Sequence, residues 1–197
     1  MQTFRDVPTH ANELAQRLRA GSVMAYPTEA VMGLGCDPLN EAAVTRICRL
    51  KQRSVEQGVL LIAADFSQVL PYVDMAQVPQ AALDRVKASW PGPFTWIFPR
   101  HARVPAWISG RHAGIALRVT AHGTAATLCR AFGGALVSTS ANPHGQPAAR
   151  TAGEVRAYFD DVADAADGID LLVDEAVGGL ASPSEIRDAL TGELVRG

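Results

Sequence analysis

The sequence predicts an α/β protein built on a mixed, twisted sheet, and two patterns carry that expectation. Continuous apolar runs of strand length occur at residues 22–26, 59–63, 95–98, 115–119 and 135–137. Helical periodicity fills most of the gaps between them. The two kinds of segment intermix irregularly, so regular βαβ winding is not expected. In chain order, a first helix is placed from Thr9, its N-cap, to Arg19, with Leu14 and Leu18 on the inner face and Gly21 as the stop. Run 22–26 is a buried strand ended by Pro27. A second helix over 40–50 carries Ala43, Ile47 and Leu50 as its inner stripe, and further helical patterns span 80–88, 125–132 and 153–159.

Composition narrows the class. A chain of 197 residues suits one domain, expected over residues 1–197. It is 48% apolar and 19% charged, which excludes a disordered chain, a collagen and a coiled coil. No apolar run approaches the roughly 18 residues of a membrane span, and the first twenty residues lack the apolar core of a signal peptide. A cytoplasmic protein with no membrane partner is expected. Cys36, Cys48 and Cys129 show no metal-ligand spacing and are expected to be buried thiols.

The net charge of −2 is unevenly spread. Sixteen of the 18 cations are arginines, which bind phosphates and carboxylates bidentately. Arg46, Arg49, Lys51 and Arg53 crowd into eight residues, whereas residues 160–175 carry seven acids and no base. That acidic stretch is expected to be a solvated helix and loop. The domain-wide basic surface of a duplex binder is missing.

Three segments could carry chemistry. In YPTEAVMGLGCD, a strand runs into Pro27-Thr28, and Gly33 and Gly35 let backbone come close to something. Pro38 occupies the third glycine position of a dinucleotide fingerprint, and no P-loop motif exists. In Leu50-Lys51-Gln52-Arg53, extended backbone would aim both cations the same way, a clamp for polyphosphate. In Ser138-Thr139-Ser140-Ala141-Asn142, four hydroxyl or amide groups follow an apolar run, where ligands of open α/β sheets gather. Arg118 sits in the otherwise apolar IALRV and needs a partner, either a structural carboxylate or a ligand. Ser182-Pro183-Ser184 is a capping sequence or a hydroxyl loop. No nucleophile elbow surrounds Ser140 and no nucleophile context surrounds Cys36, which argues against covalent hydrolysis.

Together, YPTEAVMGLGCD, LKQR, SWPGPFTWIFP, IALRVTAH, ALVSTSAN and SPSEIRDALTGEL resemble, in order, the motifs of the YrdC/TsaC family of threonylcarbamoyl-AMP synthases. The likeness runs from Val23 to about Arg196 and is closest to the short single-domain bacterial branch. It implies a twisted mixed sheet curled around a large basic cavity and flanked by helices. It also implies a reaction joining L-threonine, bicarbonate and ATP into threonylcarbamoyl-adenylate and pyrophosphate, for modification of tRNA by downstream transfer proteins. By matching position, Thr28, Arg118, Ser138 and Ser184 would hold threonine. Lys51 and Arg53 would hold and act on the ATP phosphates, with Thr95, Ser140, Asn142 and Arg196 around the nucleotide. Mg²⁺ would bridge the phosphates, with no protein metal site implied.

This chain departs from the family pattern in three places. Met32 stands where an aromatic residue is usual in the pocket wall, Ser54 replaces a proline and is expected to loosen its turn, and strand 60–63 lacks a histidine that longer relatives carry. The competing readings are an RNA-binding module without activity and a carbamoyl-transfer domain. Weak RNA or tRNA binding is compatible with the synthase reading as well.

Overall fold

A computed structural model describes residues 1–160, 167–182 and 184–196. The chain order is β1 (Gln2–Phe4), α1 (Val7–Arg19), β2 (Met24–Pro27), β3 (Met32–Gly35), α2 (Glu41–Leu50), β4 (Leu60–Ala63), α3 (Gln80–Ser89), β5 (Phe94–Pro99) and α4 (Ala106–Ser109). Then follow β6 (Gly114–Val119), α5 (Gly123–Phe132), β7 (Leu136–Ser140), α6 (Ala152–Phe159), β8 (Leu171–Val173), β9 (Glu185–Asp188) and β10 (Leu194–Arg196). The strands form one mixed sheet in the order β1-β8-β2-β3-β7-β4-β6-β5-β9-β10. Parallel pairs (β1–β8, β2–β8, β4–β6, β5–β9) are mixed with antiparallel ones, as irregular intermixing of helix and strand predicts.

The two-residue period of the strands separates two cores. Ala25, Leu61, Ala63, Leu117, Val137 and Leu172 face a core that α2 also feeds through Ala43, Val44 and Ile47. Met24, Tyr26, Ile62, Leu136, Leu171 and Val173 face the other, closed by Leu14 and Leu18 of α1 and Ala125, Leu128 and Cys129 of α5. The same face of β4 and β7 that gives Ile62 and Leu136 to this second core gives Leu60, Ser138 and Ser140 to a cavity beyond it. On β6, Leu117 points into the first core and Ile115 borders both that core and the cavity, while Gly114, Ala116 and Arg118 line the cavity. One register therefore supplies both packing and site.

The helices match their expected spans closely, except at the start of α1. That helix begins at Val7, two residues before Thr9, because Pro8 fixes helical φ in the first turn. Thr9 is not the cap: its hydroxyl donates to Asp6 Oδ2 at 2.6 Å, and Asp6 holds a left-handed conformation at φ 58°. For α2, the cap is Asn40, whose side chain accepts from the Ala43 amide at 3.0 Å. A capping box between Thr151 and Glu154 opens α6.

Residues 161–166 lie outside the described residues, but the flanks of the acidic stretch are not simply solvated. Asp170 pairs with Arg46 at 2.5 Å, Asp167 with Arg49 at 3.0 Å, and Asp174 with Arg5 at 2.6 Å. Two of the four cations crowded around α2 are thus engaged by this acidic segment. Lys51 and Arg53 are the pair directed elsewhere.

Gly35 opens space for neighbouring protein, whereas Gly33 lines the cavity. β3 is squeezed between β2 and β7, with Gly33 opposite Ser140 and Leu34 opposite Thr139. A Cβ on Gly35 would meet the Val137 carbonyl at 2.4 Å and the Tyr26 ring at 2.6 Å. Neither neighbour can retreat: Tyr26 is fully buried and its hydroxyl donates to that same carbonyl at 3.2 Å. Gly35→Ala is therefore expected to cost about 1–3 kcal/mol of stability through overpacking. Thermal denaturation checks this, and an unchanged Tm would show that β3 can shift freely.

No helix among the described residues is long and apolar enough to cross a membrane. All three cysteines are buried and unpaired, and burial raises each thiol pKa, that of Cys129 to about 12.

Candidate active site

A cavity of about 870 Å³ opens where the polar ends of β6 and β7 meet the loop after β2 and the turn after α2. That volume lies toward the upper end of the roughly 300–1,000 Å³ typical of small-molecule sites. Its wall holds Thr28, Lys51, Arg53, Arg118, Ser138, Ser140, Ser184 and Arg196. Eight of the ten residues singled out from the sequence thus share one space. The other two sit directly behind the wall. Thr95 is fully buried in β5 and shares a hydrogen bond with the Ser184 hydroxyl at 2.9 Å. Asn142 accepts from Lys51 Nζ through its carbonyl (3.0 Å) and through Oδ1 (3.2 Å).

Lys51 and Arg53 reach the cavity by a route different from the expected extended backbone. Lys51 is the C-cap of α2, and Gln52 turns the chain through a left-handed conformation at φ 50°. The Lys51 ammonium also donates to the Ser140 carbonyl and approaches the Ser140 hydroxyl at 3.4 Å. Ser140 and Asn142 therefore hold a single point charge at the end of β7. Burial lowers the Lys51 pKa to about 8, and the neighbouring Arg53 pushes the same way. Arg53 donates to the carbonyls of Gln57 (3.2 Å) and Gly58 while its Nε is buried without a partner. Burial also lowers its pKa, and nearby Arg196 adds to that effect. The three cations therefore feel one another.

Ser54 corrects another expectation. It does not loosen its turn but caps the short helical turn Val55–Gln57, its hydroxyl accepting from the Glu56 amide at 3.2 Å. Met32 lies fully buried in the first core and is not part of the cavity wall.

At the opposite end, Arg118 has the structural carboxylate that its sequence context left open and also faces the cavity. Its guanidinium contacts Glu29 Oε2 at 3.3 Å, both side chains being about 9% exposed. The other Glu29 oxygen accepts from the Thr120 hydroxyl (2.6 Å) and the Ala121 amide (3.2 Å). The Thr120 hydroxyl in turn accepts from the His122 amide at 3.0 Å. Thr28 anchors its loop by donating from its hydroxyl to the Val31 carbonyl at 2.7 Å. A strap crosses this end: the amides of Gly178 and Leu180 donate to the carbonyls of Thr28 and Glu29 at 2.9 and 3.0 Å. Ser138 is buried in β7 opposite Leu60, inside the strand rather than in a turn after it.

Among the wall residues that the sequence did not mark are Glu29, which stood inside the YPTEAV motif with no role given, and Ser109, which enters from α4. His112, weighed from the sequence only as a candidate base for hydrolysis, lines the wall from the turn after α4. Among the described residues, no three His, Cys, Asp or Glu side chains cluster to hold a metal ion.

A cavity lined by cations, hydroxyls and one buried ion pair, set at the strand ends of a mixed sheet, defines a small-ligand site in an α/β protein. The family model for Sua5, YciO and YrdC proteins, described as "Telomere recombination", matches residues 16–196, and the chain belongs to that family. It is 50% identical over 185 residues to the threonylcarbamoyl-AMP synthase of Cellvibrio japonicus, an alignment covering 94% of each chain. Among solved structures it resembles the H234A/Y235A variant of Sua5 from P. abyssi with a TM-score of 0.87 and 28% identity. That likeness covers 99% of this chain but only 59% of the Sua5 chain. P. abyssi Sua5 complexed with L-threonine is similar at a TM-score of 0.83 and 28% identity, over 95% of this chain and 53% of the other.

Proposed function

We propose that this protein is a threonylcarbamoyl-AMP synthase, a nucleotidyltransferase that acts as a single domain on L-threonine, bicarbonate and ATP. The observation that carries the reading is the division of one cavity into two chemically different ends. Lys51, Arg53 and Arg196 make an anion-binding end beside the hydroxyl of Ser140. Arg118, Thr28 and Ser138 make an end suited to a carboxylate and a hydroxyl. The 50% identity to curated synthases supports the same reading.

The chemistry asks for placement rather than a nucleophile from the protein. The neutral threonine amine adds to CO₂ drawn from bicarbonate, forming an N–C bond and releasing a proton. A carbamate oxygen then attacks the α-phosphorus of ATP, an O–P bond forms, and the bond to the β-phosphate breaks to release pyrophosphate. Lys51 and Arg53 stabilise charge on the phosphates, and Ser140 and Asn142 keep Lys51 in place. Arg118 orients the threonine carboxylate, and Thr95 acts through the Ser184 hydroxyl rather than at the nucleotide directly. Enclosure shields the carbamate, which is short-lived in water. Mg²⁺ would be held by the ATP phosphates rather than by a protein ligand set and would supply charge neutralisation there. The wall's own carboxylate, Glu29, is already engaged by Arg118 and Thr120. The adenylate passes to tRNA-modifying transfer proteins.

Pyrophosphate release from ATP, with threonine and bicarbonate omitted in turn, tests the reading. Full release is expected only with both present. Release indifferent to threonine would overturn it, and RNA binding without any turnover would favour the module alternative.

Amino-acid selectivity gives a second expectation. A site that hydrogen-bonds a substrate hydroxyl rejects analogues lacking it, because its buried polar groups are left unpaired. Serine loses only a methyl group, about 1 kcal/mol of burial, and should be used weakly. Valine should be used essentially not at all. Adenylate formation with the three amino acids at equal concentration checks this, and valine turnover equal to that of serine would remove Thr28 and Ser138 from the hydroxyl end.

A further inference from the structure

We propose that Glu29 sets the charge of the amino-acid end, cancelling that of Arg118 so that this end takes a zwitterion and rejects phosphates. The inference rests on the synthase reading, since it presumes that threonine binds at Arg118.

The cavity faces a sorting problem. A polyphosphate and an amino acid enter one space of about 870 Å³, and four cationic side chains line it. Any of the four would attract a phosphate group if left uncompensated. Three of them, Lys51, Arg53 and Arg196, have no ion pair to a carboxylate among the described residues. Arg118 differs: it alone of the four faces a carboxylate, at 3.3 Å, and both groups are nine-tenths buried. The result is a cationic end and a neutral end within one wall. A neutral end has no net attraction for a polyanion, yet Arg118 still offers N–H groups to the single carboxylate of a zwitterion. Repulsion between Glu29 and an incoming phosphate adds the discrimination that attraction by itself cannot supply.

The construction of Glu29 fits a fixed counter-charge. One oxygen is locked by the Thr120 hydroxyl and the Ala121 amide, while Oε2 is paired with Arg118. Oε2 itself and Arg118 Nε are buried with no hydrogen-bond partner, so the pair is held together by charge and packing rather than by a full set of hydrogen bonds. Glu29 Oε2 is out of reach of a ligand, so its action passes through Arg118 and through the field of its carboxylate. It is a positioning residue.

The test is calorimetric binding of L-threonine to the full chain, with and without inorganic pyrophosphate, in the absence of ATP. In the wild type, pyrophosphate should leave the threonine Kd within about threefold, because it occupies the cationic end. In Glu29→Gln, the uncompensated Arg118 becomes a phosphate site, and pyrophosphate should weaken threonine at least about tenfold in a competitive manner. Simple structural damage would weaken threonine but would not create competition by an anion. Pyrophosphate that leaves threonine binding to Glu29→Gln unchanged, or that competes equally in the wild type, would overturn the inference. If the wild type binds no threonine, it is the synthase reading that fails. Should Glu29→Gln not fold, Glu29→Asp keeps a carboxylate but draws it back from Arg118 by one methylene, so that the guanidinium is less fully compensated. Pyrophosphate should then weaken threonine by clearly more than in the wild type, and competition no greater than in the wild type would count against Glu29.

Discussion

Lys51→Ala and Arg53→Ala should each slow pyrophosphate release by about 10²-fold or more, as expected when a charge acts mainly on the transition state. The two losses differ in kind. Removing Lys51 also empties the space between Ser140 and Asn142, whose oxygens it gathers. The end of β7 should therefore loosen, and the ATP KM should rise together with the fall in kcat. Removing Arg53 leaves β7 intact and should act more purely on turnover. Burial has already brought the Lys51 pKa down to about 8, so raising the pH through that value strips the ammonium of its charge in the free enzyme. The value of kcat/KM for ATP should accordingly fall above about pH 8, since deprotonation removes the favourable term. RNA affinity should barely move in either variant. A variant that loses RNA binding yet keeps full pyrophosphate release would contradict the assignment.

Arg118→Ala should raise the threonine KM sharply, by an amount corresponding to about 2–5 kcal/mol, with a smaller effect on ATP. The ion pair with Glu29 adds a consequence that the isolated strand IALRV does not announce. Deleting the guanidinium leaves a buried carboxylate without its counter-charge, which is itself destabilising by about 3–5 kcal/mol. A lower Tm is thus expected alongside the kinetic defect. Arg118→Lys separates the two effects. It keeps a positive charge near Glu29, so the fold should survive, but it loses the planar fork that grips a carboxylate. Threonine should bind more weakly to Arg118→Lys at nearly unchanged Tm. Normal threonine affinity in that variant, with or without altered stability, would mean that Arg118 serves only the ion pair.

The sequence showed the site more fully than the fold around it, for physical reasons. Strands with apolar runs, such as Leu60–Ala63 and Gly114–Val119, announce themselves because both faces are buried. Met32–Gly35 does not, because two of its four residues are glycines chosen for closeness to β7 and Tyr26. Glu185–Asp188 is polar and half-exposed, and its strand character comes from pairing with β5. Lys51, Arg53 and Arg118 were legible because cations are conspicuous in apolar or helix-end contexts. Their partners were not: Glu29 is 89 residues from Arg118 in the chain, and the link from Lys51 to Ser140 spans as many. Such pairings are set by sheet order, which no local pattern encodes. The same holds for the acidic stretch, whose pairing with Arg46 and Arg49 requires β8 to lie beside β2.

Incubation with ¹⁴C-bicarbonate, L-threonine and ATP, followed by separation of the nucleotide products, tests whether one cavity joins a threonine-derived carbamate to the adenylyl group of ATP. One labelled carbon per adenylate is expected, appearing in step with pyrophosphate and vanishing when threonine is left out. Pyrophosphate released with no label in any nucleotide product would contradict it.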